Sequence, residues 1–323
     1  MFIKIISFFY GAATAVNLFL YKKGIRIARK FSGRVISVGN ISSGGCGKTP
    51  FTIELCRILN DDGRRGKAAV ITRGYKGRAA GPERVQIGPE AVERFGDEAV
   101  MAARILGDIP VIVSKKRADG IDYAGKKFGC GTFILDDAFQ NFSVIKDFEI
   151  VLVDALNPWG GLMRESKRSL TRADIIIIAR SNQIEEKKVS VLERGLARYS
   201  AQVFRAEMQL LDIRKVGTNE RVSKEFFNGR RCAALCAIGN PESFKKLLKT
   251  ENIALEKFMI FNDHHLFNKS DIEKLDNDVL YLVTAKDDVK LEKYSALRSF
   301  YRVNIKFEFN HDGIKNILLP ARS

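Results

Sequence analysis

A glycine-rich loop framed by a strand and a helix constrains this chain more than any other sequence feature. Residues 34–38 form a short run rich in β-branched side chains, residues 39–50 read G-N-I-S-S-G-G-C-G-K-T-P, and residues 51–59 have apolar positions at helical spacing. Glycines let successive backbone N–H groups converge on a phosphate, and the helix N-terminus adds its positive dipole. The segment therefore predicts a phosphate-binding P-loop, although Ser42 replaces the usual first glycine of G-x-x-x-x-G-K-[ST].

Two side chains of this loop carry its predicted chemistry. Lys48 is expected to neutralise the β- and γ-phosphates of a nucleotide, and the Thr49 hydroxyl is expected to hold Mg²⁺. A plain glycine turn is the alternative, but the flanking strand and helix favour phosphate binding. The expected nucleotide contacts are Ser43, Gly44, Gly45, Cys46, Gly47, Lys48, Thr49 and Pro50.

Two adjacent carboxylates, Asp136 and Asp137, close the apolar run of residues 131–135. Such a run is typical of a buried parallel strand that ends at a metal site. We expect Asp136 or Asp137 to hold Mg²⁺ directly or through water. The alternative is an ordinary turn at a strand end, where Asp is common.

Strand-like and helical runs alternate along the chain, which predicts an α/β fold. The strand-like runs are 67–72, 109–114, 149–153 and 173–179, and helical patterns lie at 97–106 and 117–128. This order predicts a P-loop NTPase-like, mostly parallel sheet with helices on both faces and ligands at the carboxyl ends of its strands.

A new series of strands and helices after residue 230 predicts a smaller C-terminal α/β lobe, with the site between the two lobes. The expected organisation is an N-terminal membrane-associated helix with a basic skirt (1–30), a P-loop core (31–201), an extended linker (202–229) and the C-terminal lobe (230–323).

The basic charge of the chain is concentrated at its N-terminus. Lys and Arg number 54 against 38 Asp and Glu, a net charge of +16, and the first acidic residue is Glu54. An end of this kind attracts an anionic partner. Because the charge follows the apolar run of residues 2–20, a phospholipid surface is favoured and nucleic acid is not.

The N-terminal apolar run has four possible interpretations. A secretory signal is disfavoured because a nucleotide-binding motif follows at once and needs a cytosolic nucleotide supply. A monotopic helix lying in the bilayer surface is favoured over a single membrane span and over an ordinary buried helix. In each of the last three cases the rest of the chain is expected on the cytosolic face of the membrane.

Cysteine usage indicates neither a disulfide framework nor a zinc ribbon. The five cysteines form an odd set without a C-x-x-C pair. Cys232 and Cys236 are expected to be small buried hydrophobic residues.

Carboxylates and histidines mark a second group of candidate residues. Asp97 and Glu98 open a predicted helix, where they would cap free N–H groups or serve the reaction. His264 and His265 follow another β-like run, and imidazole is the commonest proton-transfer group near neutral pH. Adjacent histidines point in different directions, so at most one is expected to face the site, and metal binding by both is disfavoured.

An ordered set of motifs resembles the tetraacyldisaccharide 4′-kinases of lipid A biosynthesis, a family of membrane-associated P-loop kinases. The segments that carry the resemblance are 39–50, T-R-G-Y at 72–75, G-D-E at 96–98, the segment at Arg117, D-D-x-x-Q at 136–140, L-x-R-E at 162–165, F-x-D-H-H at 261–265 and T-x-K-D at 284–287. No single motif is decisive, but the set is specific and covers most of the chain.

The resemblance implies transfer of the ATP γ-phosphate to the 4′-hydroxyl of an acylated disaccharide 1-phosphate, giving lipid IVA at the inner membrane. It also implies ATP and Mg²⁺ as cofactors and no obligate protein partner. Asp97 matches the proposed catalytic base of the family, and His264 matches its partner. The other matched site positions are Lys48, Thr49, Asp136, Asp137, Glu98, Arg117, Gln140, which is expected at the nucleotide, and Glu165.

This sequence departs from the family pattern at two points. Ser166 and Lys167 follow the L-x-R-E segment where proline is usual. Residues 284–286 read T-A-K, so Ala285 replaces the glutamate of the more frequent T-E-K. The alternative function is a membrane-anchored P-loop ATPase or GTPase switch. Guanine specificity usually requires N/T-K-x-D, and Thr284-Ala-Lys286-Asp287 carries an extra residue, which argues against a GTPase.

Overall fold

One sheet runs through the whole molecule in the computed structural model, which describes residues 2–64, 66–199 and 201–319. Residues 320–323 of the predicted C-terminal lobe, with Met1, Arg65 and Ser200, lie outside the described residues. The strands are β1 (Arg34–Gly39), β2 (Lys67–Thr72), β3 (Glu83–Arg84), β4 (Val111–Val113), β5 (Cys130–Asp136), β6 (Phe148–Asp154), β7 (Ile175–Ala179), β8 (Gln202–Lys215), β9 (Arg221–Val222), β10 (Cys232–Cys236), β11 (Lys257–Ile260), β12 (Leu280–Thr284) and β13 (Phe300–Phe309). The α-helices are α1 (Phe2–Lys22), α2 (Lys48–Asp62), α3 (Ala91–Phe95), α4 (Asp97–Leu106), α5 (Arg117–Phe128), α6 (Glu186–Ala197), α7 (Pro241–Thr250), α8 (Lys269–Glu273), α9 (Ala285–Leu291) and α10 (His311–Leu318).

The sheet is mostly parallel, as predicted. Its strand order is β11-β10-β12-β13-β8-β7-β6-β1-β5-β2-β4-β3, with β9 paired to β8. Among the described strands only the pairs β3–β4, β8–β13 and β8–β9 are antiparallel. The P-loop strand β1 lies between β5 and β6, so the carboxyl ends of three parallel strands meet at the loop.

Helices cover both faces of the sheet, which confirms the predicted α/β class. Side chains alternate between faces along a strand. On one face Val35 and Leu135 share a buried cluster with Ile121 of α5, and on the other Ile36 shares a cluster with Leu55 of α2. The apolar positions of β1 therefore join two separate layers of helix to the sheet.

Strand β8 connects the predicted core to the predicted C-terminal lobe. Its first residues, 202–206, pair in parallel with β7, and residues 206–215 pair antiparallel with β13. The two predicted lobes thus share one sheet, and the segment expected as an extended linker supplies a strand to it. The division of the chain into a core, a linker and a C-terminal lobe at residues 202 and 230 remains a prediction.

Helix α1 contacts the rest of the molecule through polar and aromatic side chains, Tyr21 against Phe142 among them, and leaves much of its apolar surface exposed. Ser7 Oγ accepts a hydrogen bond of 3.0 Å from the Met163 N–H, whereas Phe8, Phe9 and Phe19 are more than half exposed. Among the described residues no helix, α1 included, is long and apolar enough to cross a membrane.

All five cysteines are free and buried. Cys232 and Cys236 lie on the central strand β10 of the C-terminal half and pack with its apolar core. The prediction that they act as small hydrophobic residues is confirmed.

Candidate active site

The loop between β1 and α2 has a backbone that only glycine accommodates easily at two positions. Gly44 and Gly47 have φ values of 127° and 86°, a region that disfavours side chains. A Cβ on Gly47 would also lie 2.7 Å from the Phe307 ring. The backbone conformation of the loop therefore depends on these two glycines, and α2 starts immediately after the loop at Lys48.

Asp136, at the carboxyl end of β5, lies directly below the first turn of α2. Thr49 Oγ1 donates to its Oδ2 at 3.1 Å, and Thr52 Oγ1 donates to its Oδ1 at 3.2 Å. Burial raises the pKa of Asp136 to about 6, and the nearby carboxylates of Glu98 and Asp137 add to this effect. The site therefore combines oxygen ligands with negative charge that Lys48 offsets only in part, which suits a hard divalent cation.

Asp137 is in the opposite electrostatic situation. Its carboxylate lies 3.5 Å from Lys48 Nζ and 2.8 Å from Arg164 Nη1. Burial alone would raise the pKa of Asp137, but these two cations outweigh it and hold the pKa below its ordinary value. Asp137 thus keeps Lys48 and Arg164 beside the loop where phosphates would lie.

The donor set fits Mg²⁺ bound together with phosphates. Within the described ranges no three His, Cys, Asp or Glu side chains cluster closely enough to hold a metal alone. Mg²⁺ commonly takes one or two protein carboxylates and completes its shell with substrate phosphates and water. Thr49 and Asp136 provide such a partial set, with Asp137 next to it.

Arg117 hydrogen-bonds backbone carbonyls at the carboxyl ends of β4 and β5. Its Nη1 donates to the Ser114 carbonyl at 3.0 Å and its Nη2 to the Asp136 carbonyl at 2.8 Å. Burial lowers the pKa of Arg117 to about 10, against the opposing effect of Asp136 and Asp137. The Arg117 guanidinium lines the cleft, and two of its N–H groups are hydrogen-bonded to these backbone carbonyls.

Gln140 braces the start of the P-loop. Its amide nitrogen donates to the Asn40 carbonyl at 2.9 Å and to Glu165 Oε1 at 2.8 Å. Arg172 in turn pairs with Glu165 at 2.8 Å. The amide that was expected at the nucleotide therefore also holds the first turn of the loop in place.

A carboxylate and an imidazole meet across the cleft. His264 Nδ1 lies 2.9 Å from Asp97 Oδ1 and 3.1 Å from Oδ2. Asp97 is buried at the first position of α4. Burial would raise the pKa of Asp97, but the hydrogen bond to His264 and the ammonium groups of Lys286 and Lys290 outweigh it and lower the pKa. The pair therefore favours an ionised carboxylate.

Of the two adjacent histidines, only His264 contacts Asp97. His265 Nε2 lies 2.9 Å from Asp271 Oδ2, and its ring stacks on Phe261. His264 instead has a left-handed backbone, φ 64°, and its ring lies 5.0 Å from that of Tyr75. The change of direction between the two residues separates a structural histidine from one at the site.

These groups line one cleft of about 970 Å³ between the predicted core and C-terminal lobe. Of the residues predicted from sequence, it is lined by Ser43, Gly44, Gly45, Cys46, Gly47, Lys48, Thr49, Pro50, Glu98, Arg117, Asp136, Asp137, Gln140 and His264. Asp97 and Glu165 are buried at the edge of the cleft, where Asp97 contacts His264 and Glu165 accepts a hydrogen bond from Gln140.

A further pair at the loop was not indicated by the sequence analysis. The buried Arg180 follows β7 and pairs with Asp154 at 2.7 Å, and its Nη2 donates to the Gly45 carbonyl at 2.6 Å. Asn240 Nδ2, after β10, also donates to Asp154 at 3.1 Å. Both members of the pair stand at the carboxyl ends of parallel strands, and that position is the signal that would have found them.

Comparison with known proteins gives a consistent result over the full length. A family model described as tetraacyldisaccharide-1-P 4′-kinase (LpxK) matches residues 1–322. The chain is 30% identical to the tetraacyldisaccharide 4′-kinase of Halothermothrix orenii, over 94% of this chain and 85% of that protein. It is 31% identical to that of Flavobacterium johnsoniae, over 94% of this chain and 91% of the relative.

A solved structure has the same fold. The crystal structure of LpxK from Aquifex aeolicus in complex with ATP superposes with a TM-score of 0.77 at 25% identity, and the match covers 99% of this chain and 98% of that one.

Proposed function

The chain belongs to the tetraacyldisaccharide-1-P 4′-kinase family, and we propose that the cleft around Lys48, Asp136 and Asp97 is where it performs this reaction. The enzyme phosphorylates the 4′-hydroxyl of tetraacyldisaccharide 1-phosphate with ATP in lipid A biosynthesis. Two halves of the site meet in this cleft, and their meeting supports the assignment. One half is the P-loop that follows β1, and the other is the ionised carboxylate of Asp97 on α4 together with the imidazole of His264.

The residues of the two halves have different tasks in the reaction. The 4′-oxygen forms a bond to Pγ, the bond between Pγ and the β–γ bridging oxygen breaks, and ADP leaves. The O–H bond of the hydroxyl breaks at the same time, and its proton passes to the Asp97 carboxylate, which His264 orients. Lys48 and Arg164 neutralise charge on the phosphates, and the loop amides fix their position.

Mg²⁺ would be held by Thr49 and Asp136, with Asp137 beside it, and would neutralise charge on the β- and γ-phosphates. The raised pKa of Asp136 supports this role, because Lys48 offsets the effect of burial only in part and a bound divalent ion would favour the ionised carboxylate. The switch protein considered from sequence is not favoured, since the family and the named relatives are kinases.

The membrane-facing surface is proposed to be α1 together with the segment that follows it. Phe8 and Phe9 on the helix are exposed, and so are Ile25 and Ile27, which lie among the basic residues after it. Ile145, on the loop that hydrogen-bonds to Arg29, is exposed as well. Apolar side chains flanked by Lys and Arg fit the interface of a bilayer that carries anionic lipids.

This surface would bring the substrate close to the reacting groups. Tyr10 of α1 lines the same cleft as the P-loop, and Ser7 is bonded to Met163, the neighbour of Arg164. An acylated disaccharide whose chains stay in the bilayer could then present its headgroup to Asp97. The expected location is the cytosolic face of the inner membrane, where ATP is available.

The test is transfer of label from γ-³²P-ATP to tetraacyldisaccharide 1-phosphate in detergent with Mg²⁺. The parent protein is expected to label the lipid, and Lys48→Ala is expected to reduce the rate by at least 100-fold. Lys67→Ala, at the exposed start of β2, is the matched control and should keep the parent rate. ATP hydrolysis without labelled lipid in the parent would contradict the assignment.

A further inference from the structure

Three basic side chains of the cleft, Arg73, Lys76 and Lys115, have no carboxylate partner among the residues that the structure describes. All three are exposed and line the cleft. The other lysines and arginines of the cleft each lie within 4.0 Å of a carboxylate, apart from Arg117, which donates to two backbone carbonyls. Arg73 belongs to the T-R-G-Y segment, for which the P-loop and the Asp97–His264 pair provide no role.

The carboxylates near these cations already have partners. Lys286 Nζ lies 3.1 Å from Glu98 Oε1 and 3.0 Å from Asp263 Oδ1. Burial lowers the pKa of Arg117 to about 10, and the positive charge of Arg73 contributes in the same direction. This end of the cleft therefore carries positive charge that no protein carboxylate offsets, and a cleft concentrates such a field on a bound anion.

The turn that carries Arg73 and Lys76 is fixed against the segment that leads into α4. Its Gly77 approaches this segment so closely that a Cβ would lie 2.6 Å from the carbonyl carbon of Phe95. The Tyr75 ring, between the two cations in sequence, lies 5.0 Å from the His264 ring. The two cations are thus held next to the reacting groups by backbone packing.

Strand register places Lys115 beside Arg73. Thr72 pairs with Val113 at the carboxyl ends of the parallel strands β2 and β4, and the Ser114 N–H donates to the Thr72 carbonyl at 2.9 Å. Strand β2 is the neighbour of β5, and β4 is the next strand beyond it. The usual spacing of strands puts these two ends about 5 and about 10 Å from Asp136 along the sheet. The cations therefore lie beyond the metal site, within reach of the far end of a disaccharide.

We propose that Arg73, Lys76 and Lys115 form the subsite for the 1-phosphate of the acceptor and make the enzyme specific for a phosphorylated disaccharide. The proposal rests on the proposed function of the cleft. The 4′-hydroxyl and the 1-phosphate are at opposite ends of the acceptor, so a hydroxyl at Asp97 places the phosphate away from the P-loop. A phosphate monoester carries a charge of about −1.5 to −2 near pH 7 and three acceptor oxygens. Such a group matches a guanidinium and two ammonium groups that lack partners.

The first test compares two acceptors in detergent with saturating ATP, tetraacyldisaccharide 1-phosphate and the same lipid without the 1-phosphate. The parent is expected to have a kcat/KM at least 100-fold higher for the phosphorylated acceptor. The triple variant Arg73→Met, Lys76→Met, Lys115→Met should lose this preference and keep the parent kcat/KM for the acceptor without phosphate. That retained activity also shows that the variant is folded.

The matched control for this test is Lys116→Met. Lys116 is exposed like its neighbour Lys115 but does not line the cleft, so the variant should keep the parent values with both acceptors. Equal losses with both acceptors in the triple variant would overturn the proposal, because the cations would then act on the fold or on the reacting groups. A change in the KM for ATP alone would overturn it as well.

The second test measures acceptor binding without nucleotide by titration calorimetry in non-ionic detergent micelles. The parent should bind the phosphorylated acceptor at least 10-fold more tightly than the other, and the triple variant should bind the two alike. Equal binding by the parent would overturn the proposal. Loss of its preference when phosphatidylglycerol is added to the micelles would also do so, because the cations would then bind any anionic headgroup. A parent that keeps this preference but labels no lipid would instead contradict the proposed function.

Discussion

His264 Nδ1 lies 2.9 Å from Asp97 Oδ1, although 167 positions separate the two residues in the chain. Asp97 begins α4, which packs against the P-loop helix α2, and His264 follows the edge strand β11. The contact joins the two halves of the molecule at the point where we propose that the hydroxyl proton is accepted. Any motion of one half against the other would therefore change the reacting geometry directly.

Asp136 and Asp137 are expected to affect stability in opposite directions. The pKa of Asp136 is about 6 in the folded protein against roughly 3.9 in an unfolded chain. The folded state therefore binds the proton more tightly, and stability falls as the pH rises from about 4 to about 6. Above that range, in the absence of a bound divalent cation, the raised pKa lowers the free energy of unfolding by about 3 kcal/mol.

Asp136→Asn should consequently raise the Tm of the nucleotide-free protein at pH 8 by a few degrees, with a smaller difference at pH 5. Asp137→Asn should lower the Tm at pH 8, because the pKa of Asp137 is held down by Lys48 and Arg164. Thermal unfolding in EDTA at the two pH values measures both changes. Shifts of the same sign in the two variants would contradict the electrostatic account.

Arg180 is expected to couple stability to nucleotide binding. Its loss in Arg180→Met leaves the Asp154 carboxylate without its paired cation, although the hydrogen bonds from Asn240 and Leu156 remain, and it frees the Gly45 carbonyl. We expect the free energy of unfolding to fall by about 3 kcal/mol and the KM for ATP to rise. Urea denaturation and steady-state kinetics measure the two effects.

The double variant Arg180→Met, Asp154→Asn separates the two roles of Arg180. Removing the charge of Asp154 should recover most of the stability but not the KM, because the Gly45 carbonyl still lacks its donor. Arg194→Met, at an exposed arginine of α6, serves as the control and should stay within about 0.5 kcal/mol of the parent. A KM that recovers with stability would show that Arg180 acts on the fold alone.

Exposed phenylalanines on α1 are expected to determine membrane binding. Each side chain that enters the bilayer contributes about 2 kcal/mol, so Phe8→Asp with Phe9→Asp should weaken binding to phosphatidylethanolamine–phosphatidylglycerol vesicles by at least 100-fold. Vesicle sedimentation measures this change. Val191→Asp, at an exposed apolar residue of α6, is the matched control. Equal binding by all three proteins would contradict the proposed surface.

The local elements could be predicted because their signals are contained in short stretches of sequence. The predicted helices at 97–106 and 117–128 coincide with α4 and α5. Each begins with polar residues and continues with apolar positions at helical spacing. The P-loop and the carboxylates after β5 follow from the same local reasoning, since parallel strands bring their carboxyl ends together.

Long-range pairing could not be predicted in the same way. Strand β13 lies between two partners that are distant in sequence, because residues 300–303 pair with β12 on one side and residues 301–309 pair with β8 on the other. The two-residue strands β3 and β9 are too short to show a period. Arg180 was missed because its role depends on a hydrogen bond to the Gly45 carbonyl, 135 positions away in the chain.

The central claim is that Asp97 accepts the hydroxyl proton and that His264 acts through it. The most direct measurement is kcat for lipid phosphorylation in Asp97→Asn, His264→Asn and the double variant, with ATP saturating. The account predicts a loss of about 10³- to 10⁴-fold for Asp97→Asn, a smaller loss for His264→Asn, and a double variant no slower than Asp97→Asn alone. Losses that multiply in the double variant, or an Asp97→Asn enzyme close to the parent rate, would contradict it.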